Sequence, residues 1–151
     1  SAGAKAILDI PKTLEALETR GVPVVAFGQD AMPAFWSRDS GLKAPLRLDD
    51  AAAIARVEQT RRTLGGHGGM LIANPVPVED EVPAEVMKAH ITAALDRAAQ
   101  QGIEGKAVTP FLLGEILDLT NGESLKTNLA LVLNNARLAA RIAAALASVA
   151  Q

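Results

Sequence analysis

Two short apolar runs, residues 22–27 (VPVVAF) and 70–73 (MLIA), lie between segments of helical pattern. This arrangement constrains the fold more than any other feature of the chain. Continuous apolar runs of this length between helices belong in a parallel sheet that helices cover on both faces. Two strands beside at least five helices cannot make a free-standing sheet. The expected class is therefore α/β, with the remaining strands supplied from elsewhere. The chain has 151 residues, enough for one domain.

The helical segments read as follows. The first runs from Asp9 to Gly21, with Pro11 in its first turn and Ile7, Ile10, Leu14 and Leu17 on its apolar side. The second is capped by Asp49 or Asp50 and runs to about Leu64, with Ile54, Val57 and Leu64 as its buried stripe. The third begins near Pro83 and ends at Gly102, lined by Val86, Met87, Ile91, Ala94, Leu95 and Ala98. Thr109-Pro110 opens a shorter helix through Leu119, and Ser124 caps a last helix to about Ala147. Residues 29–47 read as a long irregular stretch, which in a compact domain is either functional or disordered. Phe27, Phe35 and Trp36 cluster around it and favour order.

Several function classes are excluded. There is no cysteine, so disulfides, thiolate nucleophiles and zinc–thiolate sites are absent, and two histidines do not make a His-rich metal site. The net charge is −2, from 15 basic and 17 acidic side chains, with no long basic run to hold nucleic acid or an anionic membrane. Aromatic residues are 3% of the chain with no Tyr, too few for base-stacking platforms. The apolar stretch 138–150 is interrupted by Arg141 and is too short for a bilayer span. The N-terminus has neither an apolar signal core nor an initiator Met, so the chain is expected to be processed or part of something larger.

Four features are candidates for chemistry. Lys5 sits among Ala2, Gly3, Ala4 and Ala6, followed by Ile7 and Leu8. An apolar surround penalises a lysine's charged form, and a neutral amine attacks carbonyls to form Schiff bases. On composition alone, an ordinary surface lysine is the better reading. The run 65–69 (GGHGG) lacks a following Lys-Ser/Thr and precedes a strand, so it reads as a helix stop, with His67 exposed, and not as a phosphate loop. Glu79, Asp80 and Glu81 read as acidic residues favouring the start of the third helix, not as a cation site. On the last helix, Asn128 and Asn135 fall within about 20° of each other, with Asn134, Arg137 and Arg141 on the opposite side. So apolar a helix reads as buried, and buried Asn needs partners for its carbonyl and its amide. Asn134 is expected to tie off loop backbone. Asn128 either does the same or reads a nucleobase edge.

The segments 1–10 (SAGAKAILDI), 13–25 (TLEALETRGVPVV), 33–43 (PAFWSRDSGLK), 73–75 (ANP), 109–113 (TPFLL) and 124–140 (SLKTNLALVLNNARLAA) resemble, in this order, pseudouridine-5′-phosphate glycosidases. The resemblance spans essentially the whole chain. It implies a three-layer α/β/α sandwich, of which residues 1–151 are the C-terminal half of a single domain. It implies reversible cleavage of the C–C glycosidic bond of pseudouridine 5′-phosphate to uracil and ribose 5-phosphate. It also implies that Lys5 forms the covalent adduct with C1 of the ring-opened sugar and that Asn128 contacts uracil. The general acid, the metal ligands for a divalent ion (manganese by analogy) and most phosphate ligands fall in the N-terminal half, so no metal ligand is assigned here. Trp36 stands where the family commonly has another aromatic. The implied setting is a cytoplasmic homotrimer completed by that half as partner, with a small-molecule substrate and neither nucleic acid nor membrane. The rival readings are a non-catalytic binding or scaffolding fragment, and a pigment-biosynthesis enzyme of the same fold.

Overall fold

The computed structural model describes residues 1–149. Helix α1 (Ile10–Thr19) begins where the Asp9 carboxylate accepts a hydrogen bond from the Lys12 amide at 3.0 Å, and Pro11 fits its first turn. That backbone hydrogen bond, with the Lys12 side chain, holds the Asp9 carboxyl below its usual range. Gly21, at φ +64°, turns the chain out of α1 toward β1 (Val24–Phe27). β1 is the centre of a parallel sheet, flanked by β2 (Leu46–Leu48) and β3 (Leu71–Ala73). Val25 stands opposite Leu46 on one side and Ile72 on the other. Val24 and Ala26 pack with Ile10, Leu14 and Leu17 on the α1 face, while Val25 turns to the other face and is fully buried. The central strand is thus apolar on both sides, as the α/β class requires.

The strand β2 corrects the sequence reading, which leaves residues 46 and 47 in the irregular stretch. β2 is three residues long, lies at a sheet edge and carries Arg47 at its centre, ion-paired to Asp49 at 2.7 Å and Asp30 at 3.2 Å. A charged, short edge strand has no apolar run to announce it.

Helix α2 (Ala51–Thr63) is capped by Asp50, whose Oδ1 accepts from the Ala53 amide at 2.6 Å. Of its expected stripe only Ile54 is buried, joined by Ala55; Val57 is partly exposed and Leu64, past the last turn, is 82% exposed. Arg61 and Arg62 hold the Glu58 carboxyl down to a pKa of about 2. Arg61 also donates to the carbonyls of His67 and Gly68 at 2.9 and 2.7 Å. The glycine run is therefore a helix stop folded back onto its own helix, with His67 exposed.

Helices α3 (Ala84–Gln100) and α4 (Val108–Leu119) pack together, burying Met87, Ile91, Ala94 and Ala98 against Leu112, Ile116 and Trp36. Val86 and Leu95 face solvent instead of lining that side. Each is one residue, hence about 100° of helix, away from the buried line at Met87 and Ala94. The acidic run also departs from expectation. Val78–Asp80 is a 3₁₀ turn of its own, and the Glu81 carboxylate accepts from the Arg38 amide at 2.8 Å instead of starting α3.

Helix α5 (Glu123–Val149) packs along α2. The expectation that it is buried all round is overturned. Its buried line is Ser124, Thr127, Leu131 and Leu138, and Leu125, Leu129, Val132 and Leu133 are each half exposed or more. Among the described residues no layer covers that stripe. Ser124 does not cap the helix but lies buried in its first turn, where its amide donates to Thr120 Oγ1 at 3.2 Å. By length and composition alone α5 is long and apolar enough to cross a membrane, which the stretch 138–150 read by itself is not.

The segment between β1 and β2 is ordered. Met32, Pro33, Ala34, Trp36 and Ser37 are buried, and the Gln29 amide donates to the carbonyls of Ala31 and Arg38 at 2.8 and 2.6 Å. The first residues are anchored to the sheet. The Ser1 amine donates to the Ile72 carbonyl at 3.1 Å, and the Ser1 carbonyl accepts from the Asn74 amide at 2.6 Å. The two bonds straddle Ala73, which is the pattern of one step of a parallel ladder on the outer edge of β3.

Candidate active site

Because Ser1 pairs at the level of Ala73, the last residue of β3, the residues that follow it leave the carboxyl end of the sheet. That end is where α/β folds bind ligands. Lys5 lies there, four residues on. Its neighbours are fixed by close backbone approach: the Ala2 carbonyl accepts from the Phe35 amide at 3.2 Å, and Gly3, at φ +82°, lies against Pro33. A Cβ on Gly3 would stand 2.5 Å from the Pro33 carbonyl oxygen. Only glycine suits this position.

Lys5 and Asn128 line one cavity of about 290 Å³, together with Phe35, Trp36, Leu113, Gly114, Leu117, Ser124 and Leu125. Three separate segments meet here: the anchored N-terminal residues, the β1–β2 loop, and the facing turns of α4 and α5. A larger cavity of about 540 Å³ lies beside α3, lined among others by Asp39, Glu85 and Lys88. It contains neither residue singled out by the sequence, and the smaller one, which contains both, is the candidate site.

The aromatic wall of the site is built with some strain. Phe35 has φ +68°, a conformation that costs a bulky L residue on the order of 1–3 kcal/mol. Its ring meets Trp36 edge to face, with centroids 5.1 Å apart and planes at 87°. Trp36 is in turn buried, and its indole Nε1 donates to the Ser124 carbonyl at 3.2 Å, linking the loop to the first turn of α5. The Lys5 ammonium stands 5.6 Å from the centre of the Phe35 ring. Among the described residues no carboxylate forms an ion pair with Lys5.

The other polar candidates lie elsewhere. Asn134 donates to the Pro75 carbonyl at 3.0 Å and so ties off loop backbone, as expected from the sequence. Asn135 accepts from Asn74 at 3.2 Å and faces a different groove, beside β3. Sharing a helix face with Asn128 does not bring it to the same site, because two turns of α5 span the distance between the two grooves. Arg141 stands over the ring of Phe27, 5.8 Å from its centre. Among the described residues no three His, Asp or Glu side chains gather as a metal site. Sequence reasoning did not foresee Phe35 facing Lys5, nor the contribution of α4; the clustering of aromatics around the loop was the available signal.

The model of the family described as indigoidine synthase A like protein matches residues 1–145. The chain belongs to this family. A member from Paracoccus denitrificans (strain Pd 1222), named pseudouridine-5′-phosphate glycosidase, is 64% identical over 148 residues, covering 98% of this chain and 49% of the relative. Two solved structures superpose closely on the chain, each at 36% identity. A prealnumycin C-glycosynthase in complex with ribulose 5-phosphate has a TM-score of 0.92, over 99% of this chain and 49% of that one. An indigoidine synthase A-like protein from Thermotoga maritima has a TM-score of 0.82, over 95% of this chain and 47% of that one. The chain therefore spans about half the length of the family members it matches.

Proposed function

We propose that this chain is the lysine-bearing half of a glycosidase that reversibly cleaves the C–C glycosidic bond of pseudouridine 5′-phosphate, giving uracil and ribose 5-phosphate. The observation that carries the reading is the meeting of Lys5 and Asn128 in one cavity at the carboxyl end of the sheet. It is supported by the name of the 64%-identical relative and by the pentulose phosphate bound to the C-glycosynthase.

A C–C glycosidic bond leaves no oxygen or nitrogen to protonate, so the paired carboxylates of O-glycosidases do not suffice. A lysine amine provides another route. The Lys5 nitrogen bonds to C1 as the C1–O bond of the ribose ring opens and the ring oxygen takes a proton. The bond from C1 to the uracil ring carbon then breaks. Its electron pair goes to that carbon, which is protonated, while the nitrogen lone pair forms C1=N⁺. Water adds to C1, and collapse returns the amine and the sugar aldehyde. Asn128 would accept from a ring N–H of uracil and donate to a ring carbonyl.

The remaining parts belong to the half of the family length that this chain does not cover. We assign to it the general acid, most phosphate ligands and the divalent metal, manganese by analogy. We further propose that the halves make one three-layer α/β/α domain, assembling as a cytoplasmic homotrimer. A test follows from this division of labour. This chain alone is expected to show no cleavage of pseudouridine 5′-phosphate, with or without manganese, and to gain it when mixed with or fused to the N-terminal half of a relative. Turnover by the purified chain alone would refute the reading.

A second expectation separates the two asparagines. In the completed enzyme, Asn128→Asp loses a donor and adds a charge, which should weaken uracil inhibition about tenfold or more. Asn134→Asp instead sets a carboxylate against the Pro75 carbonyl, and should lower the melting temperature while leaving uracil inhibition nearly unchanged. Uracil inhibition constants and thermal melts on the two variants check this. The reverse pattern would place the uracil contact on the wrong side of α5.

A further inference from the structure

The Phe35 ring stands 5.6 Å from the Lys5 ammonium, the two line the same cavity, and among the described residues no carboxylate pairs with that lysine. The ring is held there at some cost. Its backbone is at φ +68°, its amide is tied to Ala2, and its ring stands perpendicular to that of Trp36, which is itself bonded to α5. A phenyl face carries the negative lobe of the ring quadrupole and attracts cations that approach it, most strongly where water is excluded. A Lys–carboxylate pair would occupy the N–H groups of the amine. A ring attracts a cation through its face and takes up none of its hydrogen-bonding positions.

We infer that Phe35 is a positioning residue for a cationic Lys5 adduct, holding the C=N⁺ formed between Lys5 and a sugar aldehyde over its face. The inference rests on the Schiff-base reading of Lys5 and names a residue that deepens it. The step is balanced. The Lys5 nitrogen bonds to the aldehyde carbon, the aldehyde oxygen takes two protons and leaves as water, and the nitrogen keeps one hydrogen and the positive charge. That charge remains on the nitrogen that the ring already faces, and the adduct nitrogen, with one hydrogen in place of the ammonium's three, holds less water, so the ring attracts the adduct more strongly than the free ammonium.

The test keeps the shape of the side chain and changes only its quadrupole. Phenylalanine bearing one, two or three ring fluorines is incorporated at position 35 of the completed two-half enzyme. Ribose 5-phosphate is titrated in, borohydride is added, and the fraction of Lys5 carrying the reduced sugar is read by peptide mass. The apparent adduct constant should fall stepwise with fluorine number, by about twofold to about thirtyfold from parent to trifluoro ring. The same series at Phe27, which faces Arg141, should leave it unchanged. A constant that does not track fluorine number at position 35, or that falls equally at position 27, overturns the assignment of Phe35 while leaving the Lys5 adduct standing. Absence of any Lys5 adduct in the parent enzyme overturns the Schiff-base reading and this assignment with it.

Discussion

Lys5→Arg in the completed enzyme is expected to remove turnover, by a factor on the order of 10³ or more, in line with the loss of a catalytic nucleophile elsewhere. The guanidinium keeps a positive charge and similar length, so it can still stand near the Phe35 ring. It does not deprotonate in a protein and cannot form C=N⁺. The variant thus separates charge from nucleophilicity. Lys5 makes no ion pair among the described residues, and the chain around it is anchored through Ser1, Ala2 and Gly3. The fold should therefore survive, with a melting temperature close to the parent. Two measurements check the expectation: steady-state release of uracil, and peptide mapping after borohydride treatment with ribose 5-phosphate. The parent should carry one sugar on Lys5 and the variant none. Wild-type turnover in Lys5→Arg, or an adduct on a different lysine in the parent, would remove Lys5 from the reaction.

Gly3→Ala should be nearly as damaging, although it deletes no reacting group. The new Cβ would stand 2.5 Å from the Pro33 carbonyl oxygen and 3.3 Å from the carbonyl carbon, and the backbone at φ +82° disfavours any side chain. The clash is with main chain, so no rotamer relieves it. Either residues 2–5 or the loop at Pro33 must shift, and these are the two segments that set Lys5 against Phe35. A displacement of about 1 Å in a reacting group costs on the order of 10²-fold in rate. The signature should be a fall in kcat larger than the change in KM, with fewer Lys5 adducts at equal sugar concentration. Gly41→Ala is the comparison. It also has positive φ, but a Cβ there meets nothing within 4 Å, so it should cost stability without selectively lowering kcat.

Most of the architecture was legible because its signals are local. Asp9, Pro11 and Gly21 delimit α1 by backbone chemistry, and the apolar runs around Val25 and Ile72 could only be buried parallel strands. What the sequence hid has a physical cause in each case. The strand β2 is an edge strand with a charged centre, so its pattern matches that of a loop. The stripe from Leu125 to Leu133 has the same periodicity whether it faces this chain or another surface, and its exposure had to be seen. In the site, composition favoured an ordinary surface lysine at position 5 and left Asn128 open; only the family resemblance singled out the two. The apposition of Phe35 to Lys5 could not be foreseen, because it joins residues thirty positions apart through a positive φ that few residues adopt.

The outer edge of β3 has a consequence for the life of the polypeptide in solution. In a parallel strand alternate residues bond to alternate sides, so Leu71 and Ala73 serve β1 while Ile72 turns its main chain outward. Only its carbonyl is engaged, by Ser1, and the edge borders an apolar groove running past Leu138, Ile142 and Leu146. A sheet margin paired over a single step and bordered by apolar side chains is a template for whatever extended chain is nearest. At high concentration that nearest chain is another molecule of the same kind. Covering that margin with a further strand would therefore protect the polypeptide against aggregation, independent of anything the protein catalyses.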